Sequence, residues 1–211
     1  MEQEFWLDKW RQGQIRFHQH QVHPLLETFA KRFTAETILV PLCGKTLDMV
    51  YLRSLGHKIV GVELSPIACR SFFEENKIPF TEKEQPDFIL FEGEGISLWC
   101  GDFFKLPPKA WTNVTAVYDR AALIALPLEV RRLYAKEILE KSIRPLEMLL
   151  ITIEYDEKDM QGPPFTVTSD EVNLLYVGLQ QEILHSQMEP FTTSSATIEI
   201  KESAYWLEGA K

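Results

Sequence analysis

Acidic side chains and one arginine stand where short apolar segments end, which is a suitable place for ligand chemistry. Glu63 and Asp102 each follow such a segment, and Asp119 and Arg120 close a third. In open sheets of parallel strands, ligands bind beyond the carboxyl ends of the strands. These four side chains are therefore the first candidates for contacts with a ligand.

The loop ahead of Glu63 favours a nucleoside ligand that carries no phosphates. Gly44 lies just after the segment TILVPL, where the missing Cβ lets a ligand approach the backbone. An acid about twenty residues later can accept hydrogen bonds from both ribose hydroxyls, in nicotinamide enzymes and adenosylmethionine enzymes alike. Dinucleotide loops have several glycines that seat a pyrophosphate, whereas this loop has Pro41 and Leu42 there. The simpler alternative is a helix-initiating turn with an acid on the surface.

Asp102, Phe103 and Arg120 could contact other parts of the same ligand. The Asp102 carboxylate could accept from the exocyclic amine of an adenine, and Phe103 could pack against the ring. Arg120 could pair with a ligand carboxylate in a planar fork. The alternatives are an ordinary Gly-Asp turn at Asp102 and a structural ion pair of Arg120 with Asp119 or Glu63.

Aromatic residues precede the first strand. Trp6, Trp10 and Phe17 lie within residues 1–33, where the apolar spacing predicts a helical N-terminal lid. Aromatic faces attract a positively charged sulfonium as they attract ammonium groups. Such a stripe could equally belong to the hydrophobic core.

Three further patterns indicate other chemistry more weakly. Lys45 and Thr46 follow a glycine, but Leu39 stands where a P-loop needs its first glycine. Cys43 could be a nucleophile, although a buried cysteine is usually inert. The three histidines of HQHQVH, at positions 18, 20 and 23, could bind a metal. A surface or structural role is favoured for them, and no metal site is predicted.

Strands and helices alternate along the rest of the chain. We predict strands over 37–42, 58–64, 87–91, 96–100, 114–119 and 147–155, with two more near 182–188 and 197–206. The pair joined by EGEG is either a hairpin or two adjacent strands. Helices are expected over about 47–55, 66–76 and 129–143 and from about 169. This order is typical of right-handed βαβ units and an open, mostly parallel α/β sheet.

Local signals define some helix ends and faces. Gly56 is placed to end the first of these helices, and Ser65 with Pro66 forms a start signal for the second. The buried side of the first is expected to carry Leu47, Val50, Tyr51, Leu52 and Leu55. The buried side of the helix over 129–143 is expected to carry Val130, Leu133, Tyr134, Ile138 and Leu139.

Length, charge and cysteine content limit the function classes. A chain of 211 residues with a net charge of −9 fits one soluble domain. Its acidity disfavours nucleic acid and anionic membranes as partners. Three cysteines without CxxC spacing suggest neither a disulfide framework nor a zinc site. With no secretory signal and no apolar run of about 20 residues, a cytoplasmic location is expected.

Four segments together resemble one enzyme family. They are FWLDKWRQGQIRFHQ, LVPLCGKTLDMVYLRSLGHKIVGVELS, ISLWCGDFF and VYDRAALIAL. The chain is similar along nearly its whole length to the thiopurine S-methyltransferase family in its bacterial form. The combination of these segments is more specific to the family than any single motif.

The resemblance implies a fold, a cofactor and a reaction. The fold is an open, seven-stranded, mostly parallel sheet with helices on both faces, the Rossmann-like class I methyltransferase fold, as one domain over 1–211. The cofactor is S-adenosylmethionine, which becomes S-adenosylhomocysteine. The reaction is methyl transfer to the sulfur of aromatic or heterocyclic thiols such as 6-mercaptopurine. Bacterial relatives are also associated with selenium and tellurium compounds, and the family suggests a monomer.

The resemblance also assigns site residues. Trp10, Leu42, Glu63 and Arg120 match cofactor-binding positions of the family, and Trp6, Asp102 and Phe103 are expected additional contacts. Phe17 matches an aromatic near the acceptor, and Arg120 is also a candidate for acceptor binding. The regions 79–92 and 156–168 line the mouth of this fold and leave the choice of acceptor open.

No dedicated catalytic base is expected. Heteroaromatic thiols ionise near neutrality, so positioning can supply most of the acceleration. Two alternatives remain, a nicotinamide-dependent oxidoreductase and a noncatalytic adenosyl-binding protein.

Overall fold

Apolar β-branched segments form the strands that carry the candidate residues. The computed structural model describes residues 3–193 and 196–209. The described helices are α1 (Gln3–Arg11), α2 (Pro24–Phe29), α3 (Asp48–Ser54), α4 (Pro66–Glu75), α5 (Pro108–Trp111), α6 (Leu128–Lys141) and α7 (Ser169–Leu175). The strands are β1 (Thr37–Pro41), β2 (Lys58–Glu63), β3 (Thr81–Gln85), β4 (Phe88–Gly93), β5 (Ile96–Cys100), β6 (Val114–Arg120), β7 (Glu147–Glu154), β8 (Leu179–Thr192) and β9 (Thr197–Gly209).

The chain divides into two compact units, Met1–Val117 and Tyr118–Lys211. In the first unit the strands lie in the order β3-β4-β5-β2-β1-β6. Strand β1 pairs in parallel with β2 and with the first half of β6, and β2 pairs in parallel with β5. Strand β1 is buried along its whole length, as expected for the centre of a parallel sheet.

An antiparallel hairpin extends this sheet. Strands β4 and β5 pair antiparallel across Glu94 and Gly95, so the EGEG segment is a hairpin turn. Strand β3 pairs antiparallel with β4 and was not predicted. Its sequence, TEKEQ, has no apolar residue, so it carries none of the alternation that reveals a strand.

The start signal of α4 is confirmed. Ser65 is the N-cap, and its hydroxyl accepts a hydrogen bond from the backbone N–H of Ala68 at 3.3 Å. Helix α3 ends just before Gly56, which has a positive φ of 101°. The buried face of α3 was predicted only in part. Leu52 is buried, but the other buried residues are Asp48 and Met49, and Leu55 is exposed.

In the second unit, β9 pairs antiparallel with β7 on one side and with β8 on the other. Strands β8 and β9 extend beyond the segments predicted for them. The buried face of α6 holds Tyr134 and Ile138 as predicted, together with Arg131 and Ala135. Leu133 is 58% exposed, contrary to prediction.

Arg131 is buried because it has specific partners. Its Nη1 donates to the carbonyl of Thr166 at 2.8 Å, and its Nε lies 3.0 Å from a Glu171 carboxylate oxygen. The apolar spacing of α6 could not reveal these partners, since both lie more than thirty residues further along the chain.

The α/β class is confirmed. The described residues form nine strands rather than seven, and the hairpin partners β3 and β4 add to the sheet edge of the first unit. Parallel pairing is found along β5-β2-β1-β6, and the other described pairs are antiparallel. None of the described helices has the length and apolar character needed to cross a bilayer. A single domain over 1–211 stays a prediction.

Candidate functional site

The loop after β1 has an unusual backbone. Leu42 has a φ of 47° and Gly44 a φ of 53°, both in the left-handed region. This region suits glycine, whereas a residue with a Cβ is strained there by about 1–3 kcal/mol. The Cys43 N–H donates to the Val62 carbonyl of β2 at 3.0 Å and so holds the loop against the next strand. Strain that the surroundings maintain in this way is found preferentially at functional sites.

Glu63 binds this loop to the start of α4. One carboxylate oxygen accepts from the Gly44 N–H at 2.8 Å, and the other accepts from the Ser65 N–H at 2.8 Å. The side chain is buried, with a residue exposure of 7%, so the alternative of a surface acid is wrong. Each carboxylate oxygen has a second lone pair that can accept from a ligand hydroxyl.

The burial of Glu63 has an electrostatic consequence. Loss of water raises the pKa of its carboxyl, and the backbone hydrogen bonds from Ser65, Gly44 and Leu64 oppose that shift. Those donors stabilise the ionised form, which is the better acceptor for hydroxyl groups.

The structure brings the aromatic residues of the first 33 positions together. The ring centroids of Trp6 and Trp10 lie 5.5 Å and 5.6 Å from that of Phe17, in both cases edge to face. Trp10 also covers Gly44, because a Cβ built on that glycine would lie 3.2 Å from the indole ring. Trp10 is only 7% exposed, and Phe17 is 37% exposed. The cluster therefore joins α1 to the glycine loop and leaves one ring facing outward.

Asp102 and Phe103 have protein partners of their own. One Asp102 carboxylate oxygen caps a short 3-10 helix by accepting from the Phe104 N–H at 3.0 Å. The other accepts from the Gln3 amide of α1 at 2.8 Å. Phe103 is buried, and its ring packs edge to face against Trp111. Asp102 therefore contacts α1, and Phe103 is a core residue.

Arg120 ends β6 in the second unit and is partly exposed. Asp119, directly before it, is fully buried. The Asp119 carboxylate accepts from the Tyr134 hydroxyl at 2.6 Å and from the Leu123 N–H at 3.1 Å. These hydrogen bonds make Tyr134 and Leu123 its partners, in place of the ion pair with Arg120 that was an alternative. Asp119 is thus buried with protein partners rather than open to a ligand, and a carboxylate within a buried strand was a usable signal of this.

The weaker candidates have structural roles. His23 caps α2, and its ring nitrogen accepts from the Leu25 N–H. The His18 and His20 rings contact each other edge to face. Lys45 forms an ion pair with Glu75. Within residues 3–193 and 196–209, no cluster of three or more His, Cys, Asp or Glu side chains is suited to a metal ion.

Cys43 is not suited to be a nucleophile. It is buried, and burial, followed by the nearby Glu63 charge, raises the pKa of its thiol well above the usual value. Burial raises the pKa of the Cys69 thiol in the same direction. Because the thiolate is the reactive form, both cysteines should be poorly reactive in the folded protein.

We expect iodoacetamide at pH 8 to alkylate Cys43 and Cys69 at least about tenfold more slowly in the native protein than in urea. Peptide mass spectrometry over a time course measures both rates, and the urea-unfolded chain is the control. Fast alkylation of native Cys43 would restore the nucleophile hypothesis.

Comparisons with known proteins show which family this chain resembles. The thiopurine S-methyltransferase (TPMT) family profile matches residues 1–209. A thiopurine S-methyltransferase of Methylococcus capsulatus is 43% identical over 98% of this chain and 97% of its own. Another, from Pseudomonas fluorescens, is 44% identical over 83% of this chain and 82% of its own.

Solved methyltransferase structures share the fold. A Burkholderia thailandensis 1,6-didemethyltoxoflavin-N1-methyltransferase with bound 1,6-didemethyltoxoflavin and S-adenosylhomocysteine has a TM-score of 0.66 at 13% identity, covering 99% of this chain and 87% of its own. A SAM-dependent methyltransferase from Anabaena variabilis has a TM-score of 0.64 at 15% identity, covering 96% and 93%. With the family profile matched from end to end and two relatives above 40% identity, this chain belongs to the thiopurine S-methyltransferase family.

Proposed function

We propose that this chain transfers the methyl group of S-adenosylmethionine to the sulfur of a thiopurine or a related aromatic or heterocyclic thiol. The family match over residues 1–209 is the observation that carries this function. The acidic net charge and the absence of a basic run fit a small-molecule acceptor rather than a nucleic acid.

The residues at the tips of β1 and β2 fit the nucleoside part of this cofactor. Gly44 has no Cβ, which lets the Trp10 indole pack directly over the backbone of this loop. Glu63 is buried, and its oxygens keep lone pairs for two ribose hydroxyls. The loop lacks the repeated glycines of a pyrophosphate site, which disfavours the nicotinamide alternative.

The remaining assignments follow from chemistry. Trp6 and Trp10 would face the sulfonium, to which aromatic rings are attracted. Leu42 would contact the cofactor through the strained loop, and Arg120 would pair with its carboxylate. Asp102 would contact the adenine amine through a second lone pair of one of its carboxylate oxygens, which already accept from Gln3 and Phe104. Because Phe103 is buried, it would support the segment that carries Asp102 rather than stack on the adenine ring.

The protein's contribution to the reaction is positioning. Bound S-adenosylmethionine supplies a methyl group on a positively charged sulfur, which leaves without protonation. The chain must hold the acceptor sulfur in line with that methyl group and exclude water. Phe17, the outward-facing ring of the aromatic cluster, is assigned to the acceptor, and Arg120 would also favour its anionic form. No catalytic base is required.

Arg120→Ala should weaken binding of S-adenosylhomocysteine about tenfold to a hundredfold, because a planar pair of charge-assisted hydrogen bonds is lost. Titration calorimetry measures this affinity. The matched control is Arg132→Ala on α6, whose guanidinium is exposed and lies 3.8 Å from Glu129. Unchanged affinity and turnover in Arg120→Ala would exclude the role.

A methyl-transfer assay tests the function and its acceptor range. The panel contains 6-mercaptopurine, simple aromatic thiols, selenite and tellurite, each with S-adenosylmethionine. Turnover of a heterocyclic thiol is the expected result. Binding of S-adenosylhomocysteine without turnover of any acceptor would favour a noncatalytic adenosyl-binding protein, and binding of NAD instead would favour an oxidoreductase. We further propose that the enzyme acts in the cytoplasm as a monomer.

A further inference from the structure

The Asp119 carboxylate holds the turn that follows Arg120. One carboxylate oxygen accepts from the Leu123 N–H at 3.1 Å. The other oxygen accepts from the Tyr134 hydroxyl of α6 at 2.6 Å. The acid thus joins the end of β6 to the next residues of the chain and to a buried tyrosine.

The turn itself needs such support. Ala121 has a φ of 60°, a conformation that residues with a Cβ rarely adopt. The hydrogen bond from the Leu123 N–H to the Asp119 carboxylate closes the turn around Ala121. Arg120 lies inside this closed segment, between Asp119 and Ala121, so the same bond restrains the backbone of Arg120.

The buried acid is unfavourable for stability near neutral pH. Burial raises the pKa of Asp119 to about 6, and the hydrogen bonds from Tyr134, Leu123 and Ala122 oppose the shift. The pKa in the folded chain thus lies above the unfolded value. The contribution of Asp119 to folding is therefore complete below the unfolded pKa and is lost as the pH rises through about 6. A residue kept for folding alone would more easily be neutral, which suggests that the charge serves the site.

We propose that Asp119 is a positioning residue for Arg120, its buried carboxylate holding residues 120–123 so that the guanidinium is presented in one orientation. This inference rests on the proposed function, in which Arg120 binds the carboxylate of the cofactor. Asp119 itself touches neither cofactor nor acceptor in this account.

The loss of affinity for S-adenosylhomocysteine at acidic pH tests this role. Among titratable side chains, Tyr134 on α6 lowers the pKa of Asp119 through its hydrogen bond. Tyr176, after α7, has its own pKa raised by the Asp119 charge, and Arg120 is the neighbour of Asp119 along β6. In Tyr134→Phe, Asp119 loses a hydrogen bond that lowers its pKa. Calorimetric affinity for S-adenosylhomocysteine, measured from pH 5 to 8.5, should then fall at a pH about one unit higher than in the wild type. At pH 8.5 the two affinities should agree within about twofold, because Asp119 is ionised in both.

Tyr176→Phe is the matched control. Tyr176 is also fully buried, and its hydroxyl has no hydrogen-bond partner among the described residues. Its removal should therefore leave the dependence of affinity on pH unchanged. The pKa of Glu63 is raised as well, so the difference between variants, rather than the wild-type curve, is the readout. Thermal unfolding at pH 8.5 checks that each variant is folded.

Each outcome bears on the inference. A shift confined to Tyr134→Phe supports it, whereas unchanged profiles or equal shifts in both variants would overturn it. If Tyr134→Phe does not fold, Asp119→Asn decides, because it should lose the part of the pH dependence centred near 6. A wild-type profile in Asp119→Asn would refute the role. Absence of S-adenosylhomocysteine binding by the folded wild type at every pH would instead overturn the proposed function, and this inference with it.

Discussion

Glu63→Gln should lower the affinity for S-adenosylhomocysteine by about a hundredfold or more. The carboxylate accepts backbone N–H groups from Gly44 and Ser65, and an amide can accept at only one of these positions. Its NH2 group would face a second donor. The remaining oxygen would also be a weaker acceptor for ribose, and hydrogen bonds to charged groups contribute about 1.5–3 kcal/mol each. Two weakened bonds therefore correspond to about two orders of magnitude in affinity.

Calorimetric titration at pH 8 measures this effect. The control is Glu36→Gln, because Glu36 is exposed and pairs with the exposed Lys58 on the surface of the same unit. Such pairs contribute about 0–1 kcal/mol, so the control should bind normally. An affinity of Glu63→Gln within threefold of the wild type would show that this acid is a structural clamp without a ligand.

Trp10→Ala should give the largest loss of stability in the N-terminal segment. The indole is buried, contacts Phe17 and covers Gly44. Truncating a buried tryptophan typically costs about 3–5 kcal/mol of unfolding free energy. Part of this cost should appear as detachment of α1, which would also remove the aromatic faces assigned to the sulfonium. We therefore expect a fall in the affinity for S-adenosylhomocysteine of at least about tenfold.

Urea unfolding and calorimetry on one preparation separate the two effects, and limited proteolysis of residues 1–33 reports detachment of α1. Phe5→Ala is the control, because Phe5 lies on the same helix and is exposed. If Trp10→Ala behaves like Phe5→Ala in all three measurements, the attachment of α1 does not depend on the contacts of Trp10 with Gly44 and Phe17.

Much of the first unit could be predicted from local signals. The apolar segments of β1, β2 and β5 and the Ser65 cap of α4 are encoded within a few residues each. Because parallel strands place their carboxyl ends on one edge, Glu63 and the glycine loop could be expected together. The hydrogen bond from the Gly44 N–H to the Glu63 carboxylate, which joins them, was not foreseen.

What could not be predicted depends on partners distant in the sequence. Gln3 bonds to Asp102 99 positions away, and nothing local to either residue indicates it. The same is true of the contact of Trp10 with Gly44. It is also true of Arg131, which is buried on α6 beside Glu171 where an apolar side chain was expected. The left-handed conformation of Leu42 is equally hidden, since no glycine marks it.

Strand β3 has a consequence for the protein at high concentration. An edge strand presents unpaired backbone N–H and C=O groups to other chains. A flat, apolar edge strand therefore promotes aggregation. Here this edge carries the charged residues Glu82, Lys83 and Glu84 on exposed positions, and a second copy that paired with it would have to remove water from these charges. The polarity that concealed this strand in the sequence thus disfavours edge-to-edge pairing of two copies at high concentration.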